Sequence, residues 1–402
     1  MIRRDERFDR TESGELVDRR KAEMQSLKRL LAGMTAEAEL YDELEDGRLL
    51  CYACGHECKI PEGRAGVCRV RYHEGGKLLA PRGYVSGLAC DPIEKKPFYH
   101  AFPGHNALSF GMLGCDLHCS YCQNWVTSQA LRDPRAISDA HEVGADELVR
   151  LADRYGAPVV ASTYNEPLIT SEWAVEVFRR ACDAGLIGAY ISNGNATRRV
   201  LEYLRPWTPL YKVDLKSFQD KAYRSLGGQL PHVLRTIREL HELGFGLEIV
   251  TLVVPGLNDS EGELRDMAEF LAGISPDIPW HVTAFHADYK MTDAGRTQAE
   301  QLRRACEIGA EAGLRFVYGG NLPGQLGEWE NTRCPDCGET VIERHGFHVT
   351  ANRLDRGRCP GCTGCVRRSA GGRVRLLVLL AGDFLHLEVD LVDGVDPDLV
   401  VG

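Results

Sequence analysis

From about residue 107 onward, short apolar runs alternate with amphipathic stretches. Runs rich in β-branched and aromatic residues begin near positions 107, 158, 187, 210, 246, 280 and 315. Between them, apolar residues recur at the three- and four-residue spacing of a helix in segments 171–185, 230–244, 260–274 and 299–313. Strand followed by helix, repeated six or seven times, predicts a parallel sheet with right-handed crossovers. Because about 210 residues suit an incomplete barrel better than one of eight units, we expect an α/β fold built on a partial (β/α)6-type barrel.

The segments before and after this repeat lack the alternation of strands and helices. We treat the polar residues 1–36 as an N-terminal extension with a helix near 15–33, and residues 37–104 as a small Cys-rich module with a hairpin at 73–78. The barrel is expected at 105–326. A C-terminal zinc-ribbon-like module at 327–370 and a tail at 371–402 would follow it.

Composition narrows the class of protein. The chain has 402 residues, of which 44% are hydrophobic, and a net charge of −10. No apolar run reaches the length of a membrane span, and the charged N-terminus does not resemble a secretory signal, so we expect a cytoplasmic protein. The acidic balance supplies no global field for binding a membrane surface or nucleic acid.

The unusual number is the cysteine count of 15. Disulfides are rare in reducing compartments, so clustered cysteines there indicate metal binding or catalysis. Three clusters are present: Cys51, Cys54, Cys58 and Cys68; then Cys115, Cys119 and Cys122; then Cys334, Cys337, Cys359 and Cys362. Cys182 and Cys306 lie in helical stretches and are expected to be small buried residues, whereas Cys365 is an alternative ligand beside Cys362.

The middle cluster carries the sharpest chemical prediction. Its Cys-x3-Cys-x2-Cys spacing directly follows the first strand. Three thiolates can hold three irons of a [4Fe–4S] cubane and leave the fourth iron open. The amino and carboxylate groups of S-adenosylmethionine (SAM) can chelate such an iron, and an electron would then cleave the sulfonium to methionine and a 5′-deoxyadenosyl radical. The alternatives are a three-Cys zinc site and an ordinary ferredoxin site.

The two outer clusters each contain four cysteines. Two Cys-x2-Cys pairs, Cys334/Cys337 and Cys359/Cys362, flank a predicted hairpin at 341–350, which is the zinc-ribbon arrangement with iron as the rival metal. The irregular spacing of Cys51, Cys54, Cys58 and Cys68 leaves structural zinc, an auxiliary [4Fe–4S] cluster and a rubredoxin-like iron open, and we prefer zinc.

Polar residues gather where the predicted strands end, which is where parallel α/β folds bind ligands. We predict that His286 and Tyr289, after the sixth strand, face the substrate, with Glu248 on the fifth strand joining them. Packing residues are the equally simple alternative for these three.

The combined motifs resemble the radical SAM superfamily, in the branch of the pyruvate formate-lyase activating enzyme. The carrying segments are CYACGHECKIPEGRAGVCRVR, DPIEKKPFYHAFPG, GCDLHCSYCQNW, STYNEP, SNGNAT, KVDLKSF, LVVPGLNDSEGE, FHADYKM, YGGNLPG and the terminal CPDC…CPGC. They span about residues 37–366 and look most like the radical SAM component of the AmmeMemoRadiSam system.

The resemblance implies a [4Fe–4S] cluster on Cys115, Cys119 and Cys122. It also implies SAM-binding residues, which are Asn165, Glu166, Ser192, Asn193, Asp214, Lys216 and Asn258. Glu166 matches a turn that binds the methionyl amine, although Tyr164 and Asn165 replace two glycines of that turn. Asn193 matches a position near the ribose, Asp214 and Lys216 match one near the cofactor carboxylate, and Asn258 matches a loop near the adenine.

The resemblance also implies partners and competing functions. An electron donor of the flavodoxin or ferredoxin type is expected, with an extradiol-dioxygenase-like protein and a small α/β protein encoded nearby. The alternative is an activase that makes a glycyl radical on a partner enzyme. Activases with auxiliary clusters often carry a ferredoxin-like insert after the triad, whereas residues 126–140 are short and contain no Cys. The third hypothesis is that the protein is a non-catalytic metal-binding or electron-transfer module.

Overall fold

A computed structural model describes residues 8–10, 16–355, 357–363, 366, 374–380 and 383–389, with side chains from residue 24 to residue 366 within those ranges. Its centre is an eight-stranded sheet. The strands are β1 (Gly87–Pro92), β2 (Asn106–Gly111), β3 (Val159–Ser162), β4 (Ile187–Ser192), β5 (Leu210–Asp214), β6 (Gly246–Val253), β7 (Trp280–Ala284) and β8 (Val317–Gly320). All seven strands expected from the sequence are therefore present, and β1 is added before them.

The strand order in this sheet follows the chain order. β1 pairs antiparallel with β2, and β2 to β8 are parallel neighbours in sequence. The sheet winds in one direction, as a barrel does, and its order ends at β1 and β8 rather than closing. The partial barrel is confirmed, with a seventh parallel strand beyond the six of a (β/α)6 unit.

Amphipathic helices return the chain between the parallel strands. They are α1 (Ala145–Arg154), α2 (Ser171–Asp183), α3 (Arg198–Leu204), α4 (Asp220–Leu226), α5 (Leu230–Glu242), α6 (Glu261–Ile274) and α7 (Ala299–Glu311). Capping fixes where some of them begin: the Ser260 hydroxyl accepts a hydrogen bond from the Glu263 N–H at 3.3 Å before α6. The four predicted helical stretches correspond to α2, α5, α6 and α7.

Short strands form the module before the barrel. One antiparallel sheet contains Thr35–Glu37, Tyr72–Glu74 and Lys77–Pro81, and another contains Tyr41–Glu43, Leu49–Cys51 and Cys58–Ile60. The predicted hairpin turns at Gly75 and Gly76, whose φ angles of 64° and 75° favour glycine. Phe8–Arg10 pairs with Leu16–Asp18 ahead of a helix at Arg19–Ala32, and Tyr84–Val85 pairs with His141–Glu142. Side chains of this module and of the barrel share one hydrophobic core.

A second small sheet follows the barrel. Its strands are Thr332–Arg333, Thr340–His345 and His348–Asn352, and the last two form the predicted hairpin. Side chains of this sheet pack against Tyr99, Phe316 and Tyr318 of the barrel region. A further antiparallel pair lies at Val374–Leu380 and Asp383–Val389. Short helices occur at Ile93–Lys95, Trp125–Ser128, Pro167–Thr170 and Gly327–Glu330. Across the described residues, every helix is too short or too polar to span a lipid bilayer.

Candidate active site

The carboxyl ends of the parallel strands surround a cavity of about 420 Å³. Its walls bring together most of the predicted site residues, namely Cys115, Cys119, Cys122, Asn165, Glu166, Ser192, Asn193, Asp214 and Lys216. These residues lie at or just after the carboxyl ends of β2, β3, β4 and β5, so consecutive strands bring them to one place. The cavity therefore lies at the end of the sheet where the sequence predicted the functional residues.

The cysteine loop begins where β2 meets the turn after β3. A Cβ on Gly111 would lie 2.5 Å from the Thr163 carbonyl oxygen, so only glycine fits there. The loop then reverses at Gly114, whose φ is 95°. All three thiols are free, and the Cys122 Sγ lies 3.3 Å from the Ser128 hydroxyl. Burial raises the pKa of Cys119 to about 12, so a bound metal would have to displace its proton.

Two buried carboxylates lie beside this loop. Glu166 accepts hydrogen bonds from the Ser192 hydroxyl at 2.7 Å, the Asn193 N–H at 2.7 Å and the Leu168 N–H at 3.1 Å. Burial, and then the nearby charge of Asp116, raise the pKa of Glu166 to about 8. The predicted residues Glu166, Ser192 and Asn193 thus form one hydrogen-bonded unit.

Asp116 was not predicted from the sequence. Its carboxylate accepts hydrogen bonds from the amide groups of Asn193 at 2.7 Å and Asn195 at 2.8 Å, and its side chain is fully buried. The only signal was its position, directly after Cys115 in GCDLHC. Among the described residues, neither Asp116 nor Glu166 forms an ion pair with a lysine or arginine. The His56 Nε2 lies 3.8 Å from the Asp116 carboxylate, whereas Glu166 lines the cavity, where a ligand that carries an ammonium group could contact it.

The turn between β3 and Glu166 has an unusual backbone. Tyr164 adopts a φ of 70°, a left-handed conformation that costs a non-glycine residue about 1–2 kcal/mol. Its ring lies 4.9 Å from the buried Lys96 ammonium, which also contacts the Tyr164 hydroxyl at 3.2 Å. Asn165 accepts a hydrogen bond from the Met112 N–H at 3.1 Å and so ties the turn to the cysteine loop. The turn conformation is therefore kept without glycine.

At the end of β5, Asp214 lies between two lysines. Its carboxylate contacts the Lys212 ammonium closely and the Lys216 ammonium at 3.2 Å. Burial opposes ionisation of Asp214, but the two cations outweigh it and hold its pKa at about 2. Two ammonium groups against one carboxylate leave a net positive charge on this wall, which suits the carboxylate of a ligand.

Asn258 lies outside the cavity wall, behind this cationic pair. It is buried, and its side-chain amide donates to the backbone carbonyls of Lys216 at 2.7 Å and Leu252 at 2.9 Å. It also accepts a hydrogen bond from the Val254 N–H at 2.7 Å. These contacts fix the position of Lys216, so in this structure Asn258 is a positioning residue rather than a wall of the predicted adenine site.

The predicted substrate residues are only partly brought together. His281 of β7 lines the cavity, and its Nε2 lies 2.6 Å from the Glu248 carboxylate. Glu248 also accepts hydrogen bonds from the N–H groups of Tyr99 and His100. Burial lowers the pKa of His281, so its neutral imidazole donates to this carboxylate. Glu248 therefore orients a cavity residue, whereas His281 itself was not among the chosen residues.

His286 and Tyr289 differ from their predicted placement, because neither lines the cavity. His286 is exposed beyond the end of β7. The Tyr289 hydroxyl donates to Asp133 at 2.8 Å, and its ring stacks on Trp125 with centroids 5.1 Å apart. Both follow the strand end, where the chain turns outward toward the loop after the cysteines.

Segments from both flanking modules complete the cavity. Lys95, Lys96 and Tyr99 line it from the segment after β1, and Phe347 lines it from the tip of the C-terminal hairpin. A fully buried ion pair joins the two segments, with the Arg344 Nε 3.5 Å from the Glu94 carboxylate. Part of the cavity wall therefore comes from segments outside the β/α repeat.

The four C-terminal cysteines are grouped closely enough to hold a metal ion. Their sulfur atoms all lie within 4.8 Å of one another. Cys334 and Cys362 are separated by 3.5 Å and Cys337 and Cys359 by 3.6 Å, far beyond a disulfide bond of about 2.05 Å. Tetrahedral coordination with metal–sulfur bonds of about 2.3 Å requires similar separations. Cys365, the alternative ligand, lies outside the described residues.

The N-terminal cysteines are less compact. Cys51 and Cys58 are cross-strand partners, and Cys51, Cys54 and Cys68 are buried. Among the described residues, the grouping within 4.8 Å is formed by the C-terminal four alone. The module nevertheless contacts the cysteine loop directly, since His56 Nε2 lies 3.1 Å from the Asp116 carbonyl oxygen.

Comparison with known proteins agrees with this site. A family model described as the Radical SAM superfamily matches residues 111–271, which contain the cysteine loop. The uncharacterized protein MJ0808 of Methanocaldococcus jannaschii is 35% identical over 330 residues, covering 81% of this chain and 97% of that protein. A pyruvate formate-lyase-activating enzyme of Staphylococcus aureus is 25% identical over 234 residues, covering 53% of this chain and 89% of the enzyme.

Among solved structures, a domain of a pyruvate-formate lyase-activating enzyme from Bacteroides vulgatus is 22% identical. It covers 40% of this chain and 98% of that domain, with a TM-score of 0.36. The identity to the Methanocaldococcus protein over most of both chains, together with the family match over the cysteine loop, establishes the family. The chain belongs to the radical SAM superfamily and is a SAM-dependent enzyme with a radical mechanism.

Proposed function

We propose that this chain holds a [4Fe–4S] cluster on Cys115, Cys119 and Cys122 and cleaves SAM reductively to modify a substrate by hydrogen abstraction. The observation that carries the proposal is that the three free thiols share one cavity with buried acidic and basic groups of suitable charge. When bound, such a cluster with an open iron supplies the one-electron cleavage of SAM to methionine and a 5′-deoxyadenosyl radical.

Different groups of residues in the cavity are suited to the amino group and to the carboxylate of a ligand. Glu166 holds the Ser192–Asn193 turn and lines the cavity, where its carboxyl oxygens can accept hydrogen bonds from the amino group of a ligand. Asp214 keeps Lys212 and Lys216 close together, and the excess ammonium charge is available to a carboxylate. A cavity with an acidic and a basic wall orients an amino acid moiety such as that of SAM.

The opposite part of the cavity is the proposed substrate side. His281 presents a neutral imidazole whose orientation is fixed by Glu248, and Tyr99 and Phe347 add aromatic surface. Radical abstraction needs close placement more than acid–base groups, so these residues act by positioning. His286 and Tyr289 are not part of this proposal because they lie outside the wall.

The experiment is anaerobic reconstitution followed by detection of 5′-deoxyadenosine with dithionite as reductant. Wild-type protein should form the nucleoside from SAM, and Cys119→Ala should not. A matched control is Cys182→Ala, which removes a cysteine of helix α2 outside the site and should retain activity. Absence of the nucleoside from wild-type protein that carries about four cluster irons would refute the proposal.

We assign the chain to the AmmeMemoRadiSam branch, on the motifs shared along residues 37–366. Electrons would come from a flavodoxin or ferredoxin, as radical SAM enzymes generally receive them. An extradiol-dioxygenase-like protein and a small α/β protein are the proposed partners, and a reducing cytoplasm suits the many metal-binding thiols. The division into an extension, a Cys-rich module, a barrel, a ribbon and a tail is retained with the boundaries given above.

Metal analysis tests the two outer sites. We assign zinc to Cys334, Cys337, Cys359 and Cys362, because four thiolates close a tetrahedral shell. The metal of Cys51, Cys54, Cys58 and Cys68 is zinc or iron. About four irons and two zincs per chain would indicate one cubane and two zinc sites, whereas about eight irons would indicate an auxiliary cluster.

The second candidate function is that of a glycyl-radical activase. The observation that favours it is the 25% identity to the Staphylococcus aureus activating enzyme, which covers 89% of that enzyme. Electron paramagnetic resonance of a candidate partner after incubation with SAM distinguishes the two, since a glycyl radical on the partner would support the activase.

A further inference from the structure

Three cations lie around the cysteine loop without acidic partners. Arg69 and Lys290 are exposed and Arg132 is half-buried. Within the described part of the chain, none of them forms an ion pair, whereas surface arginines such as Arg198 and Arg304 each contact two or more carboxylates. In a protein with a net charge of −10, these three cations lie together beside one loop. We call Arg69, Arg132 and Lys290 the basic rim.

Backbone carbonyl groups fix the basic rim to the loop. Arg132 donates to the Leu117 carbonyl at 3.0 Å, between two of the cysteines, and to the Val67 carbonyl at 2.5 Å in the Cys-rich module. Arg69 donates to the Leu131 carbonyl at 2.7 Å. The backbone N–H of Lys290 donates to the Ser120 carbonyl at 2.9 Å. Because carbonyl groups carry no net charge, these contacts orient the guanidinium groups of Arg69 and Arg132 without neutralising them. The Lys290 ammonium lies 4.8 Å from the centroid of the Tyr289 ring.

Apolar surface adjoins the same loop. Val67 is 45% exposed and Val126 is 38% exposed. Next to Val126, Trp125 stacks on Tyr289, and the guanidinium of Arg135 lies 5.5 Å from the Tyr289 ring.

Two acids also face this area. Asp133 is neutralised by Arg135 at 2.8 Å, and Asp288 is half-buried and remains beside Tyr289. The balance around the loop is positive, with exposed apolar side chains among the cations. Such a surface fits an acidic partner that also exposes an apolar edge.

We propose that the basic rim docks an acidic flavodoxin, whose apolar flavin edge would meet Val67 and Val126. This inference rests on the proposed function, since it assigns the cysteine loop as the place where an electron enters. The reduced flavodoxin loses one electron. That electron is consumed when the C–S bond of SAM breaks to give methionine and the 5′-deoxyadenosyl radical. The Cys-rich module takes part in docking because Arg69 and Val67 belong to it.

The test compares two reductants on one set of variants. Arg69→Glu/Lys290→Glu reverses two exposed charges and leaves Arg132, which bridges two segments, in place. The matched control is Arg154→Glu/Arg238→Glu. Both control residues are exposed, form no ion pair in the described ranges, and lie toward the carboxyl ends of α1 and α5. Helices between parallel strands run back toward the amino ends of the strands, so these residues lie at the end of the barrel opposite the cysteine loop.

At about 50 mM salt and limiting reduced flavodoxin, the rim variant should form 5′-deoxyadenosine at least about fivefold more slowly than wild type. The control variant should stay within about twofold. With dithionite, all three proteins should react at equal rates, which also shows that the rim variant is folded and loaded. The defect with flavodoxin should shrink at about 0.5 M salt, where the Debye length is only a few ångströms.

A rim variant that accepts electrons from flavodoxin as fast as wild type would overturn the docking proposal, as would an equal defect in the control. A faster, equally rim-dependent reaction with a ferredoxin would overturn the choice of partner. If wild-type protein forms no 5′-deoxyadenosine with dithionite, the proposed function fails instead, so the two failures are distinguishable.

Discussion

Replacing Arg344 by methionine is expected to destabilise the contact between the C-terminal hairpin and the segment after β1. Arg344 and Glu94 are both 0% exposed. The guanidinium also donates to the Tyr99 carbonyl at 2.9 Å and to the Thr332 hydroxyl at 2.8 Å. Methionine fills a similar volume but leaves the carboxylate of Glu94 buried without a cation.

The magnitude follows from that burial. Removing one partner of a buried ion pair typically costs about 3–5 kcal/mol. Without Arg344, the Glu94 carboxylate would keep few stabilising contacts. Its Oε2 has no hydrogen-bond partner, and its Oε1 accepts only the Gly104 N–H besides Arg344. Burial already raises the pKa of Glu94 despite the arginine. We therefore expect the free energy of unfolding to fall by about 3–5 kcal/mol.

The assay is urea unfolding under anaerobic, reducing conditions, with metal content matched between proteins. The control is Arg353→Met on the same hairpin, since Arg353 pairs with Glu343 at 2.7 Å but the two side chains are 43% and 42% exposed. That pair should contribute less than about 1 kcal/mol. Glu94→Gln/Arg344→Met should recover much of the loss, because no uncompensated charge remains. A cost for Arg344→Met no larger than that of Arg353→Met would refute the reasoning.

Three other changes are expected to separate metal, cofactor and surface roles. Cys337→Ser should remove about one metal ion per chain, measured by elemental analysis, because three thiolates and a hydroxyl hold zinc poorly; an unchanged metal content would contradict the four-cysteine site. For the apo protein, stability should fall as pH rises from about 4.5 toward about 8, because folded Glu166, whose pKa is about 8, keeps a proton that the unfolded chain has lost. Glu166→Gln should flatten that profile in urea midpoints measured across the range, and an identical slope in both proteins would exclude Glu166 as the source. His286→Ala should leave the rate of 5′-deoxyadenosine formation within about twofold of wild type, because the side chain is exposed outside the cavity; a tenfold loss would place it in the site after all.

Local pattern was sufficient to predict the framework. The seven parallel strands and the helices between them follow from short-range periodicity, and the C-terminal cysteines follow from spacing alone. The periodicity of a strand or helix, and each Cys-x2-Cys pair, depends on residues only a few positions apart along the chain. Features that depend on neighbouring residues in the sequence can be predicted without knowing the tertiary contacts.

Contacts between distant segments could not be predicted in this way. Asp116 became part of the site only because folding places it against Asn193 and Asn195, about eighty positions later. On β7, the wall position belongs to His281, since side chains alternate along a strand, whereas His286 lies beyond the strand end. The sequence has two histidines near this strand, His281 and His286, and only the three-dimensional contacts distinguish them.

Phe347 has a consequence for the maturation of the enzyme. This wall of the cavity belongs to the hairpin Thr340–His345 and His348–Asn352, which leaves the ribosome long after the cysteine loop. Until that hairpin is made and seated on the barrel, the cavity lacks the part of its wall that Phe347 forms. We therefore expect a cluster to be inserted after the chain is complete, when every wall of the cavity is in place. Because Phe347 belongs to the same small sheet that packs with Cys334 and Cys359, loss of a metal from the proposed C-terminal site would be expected to disturb this wall of the cavity as well.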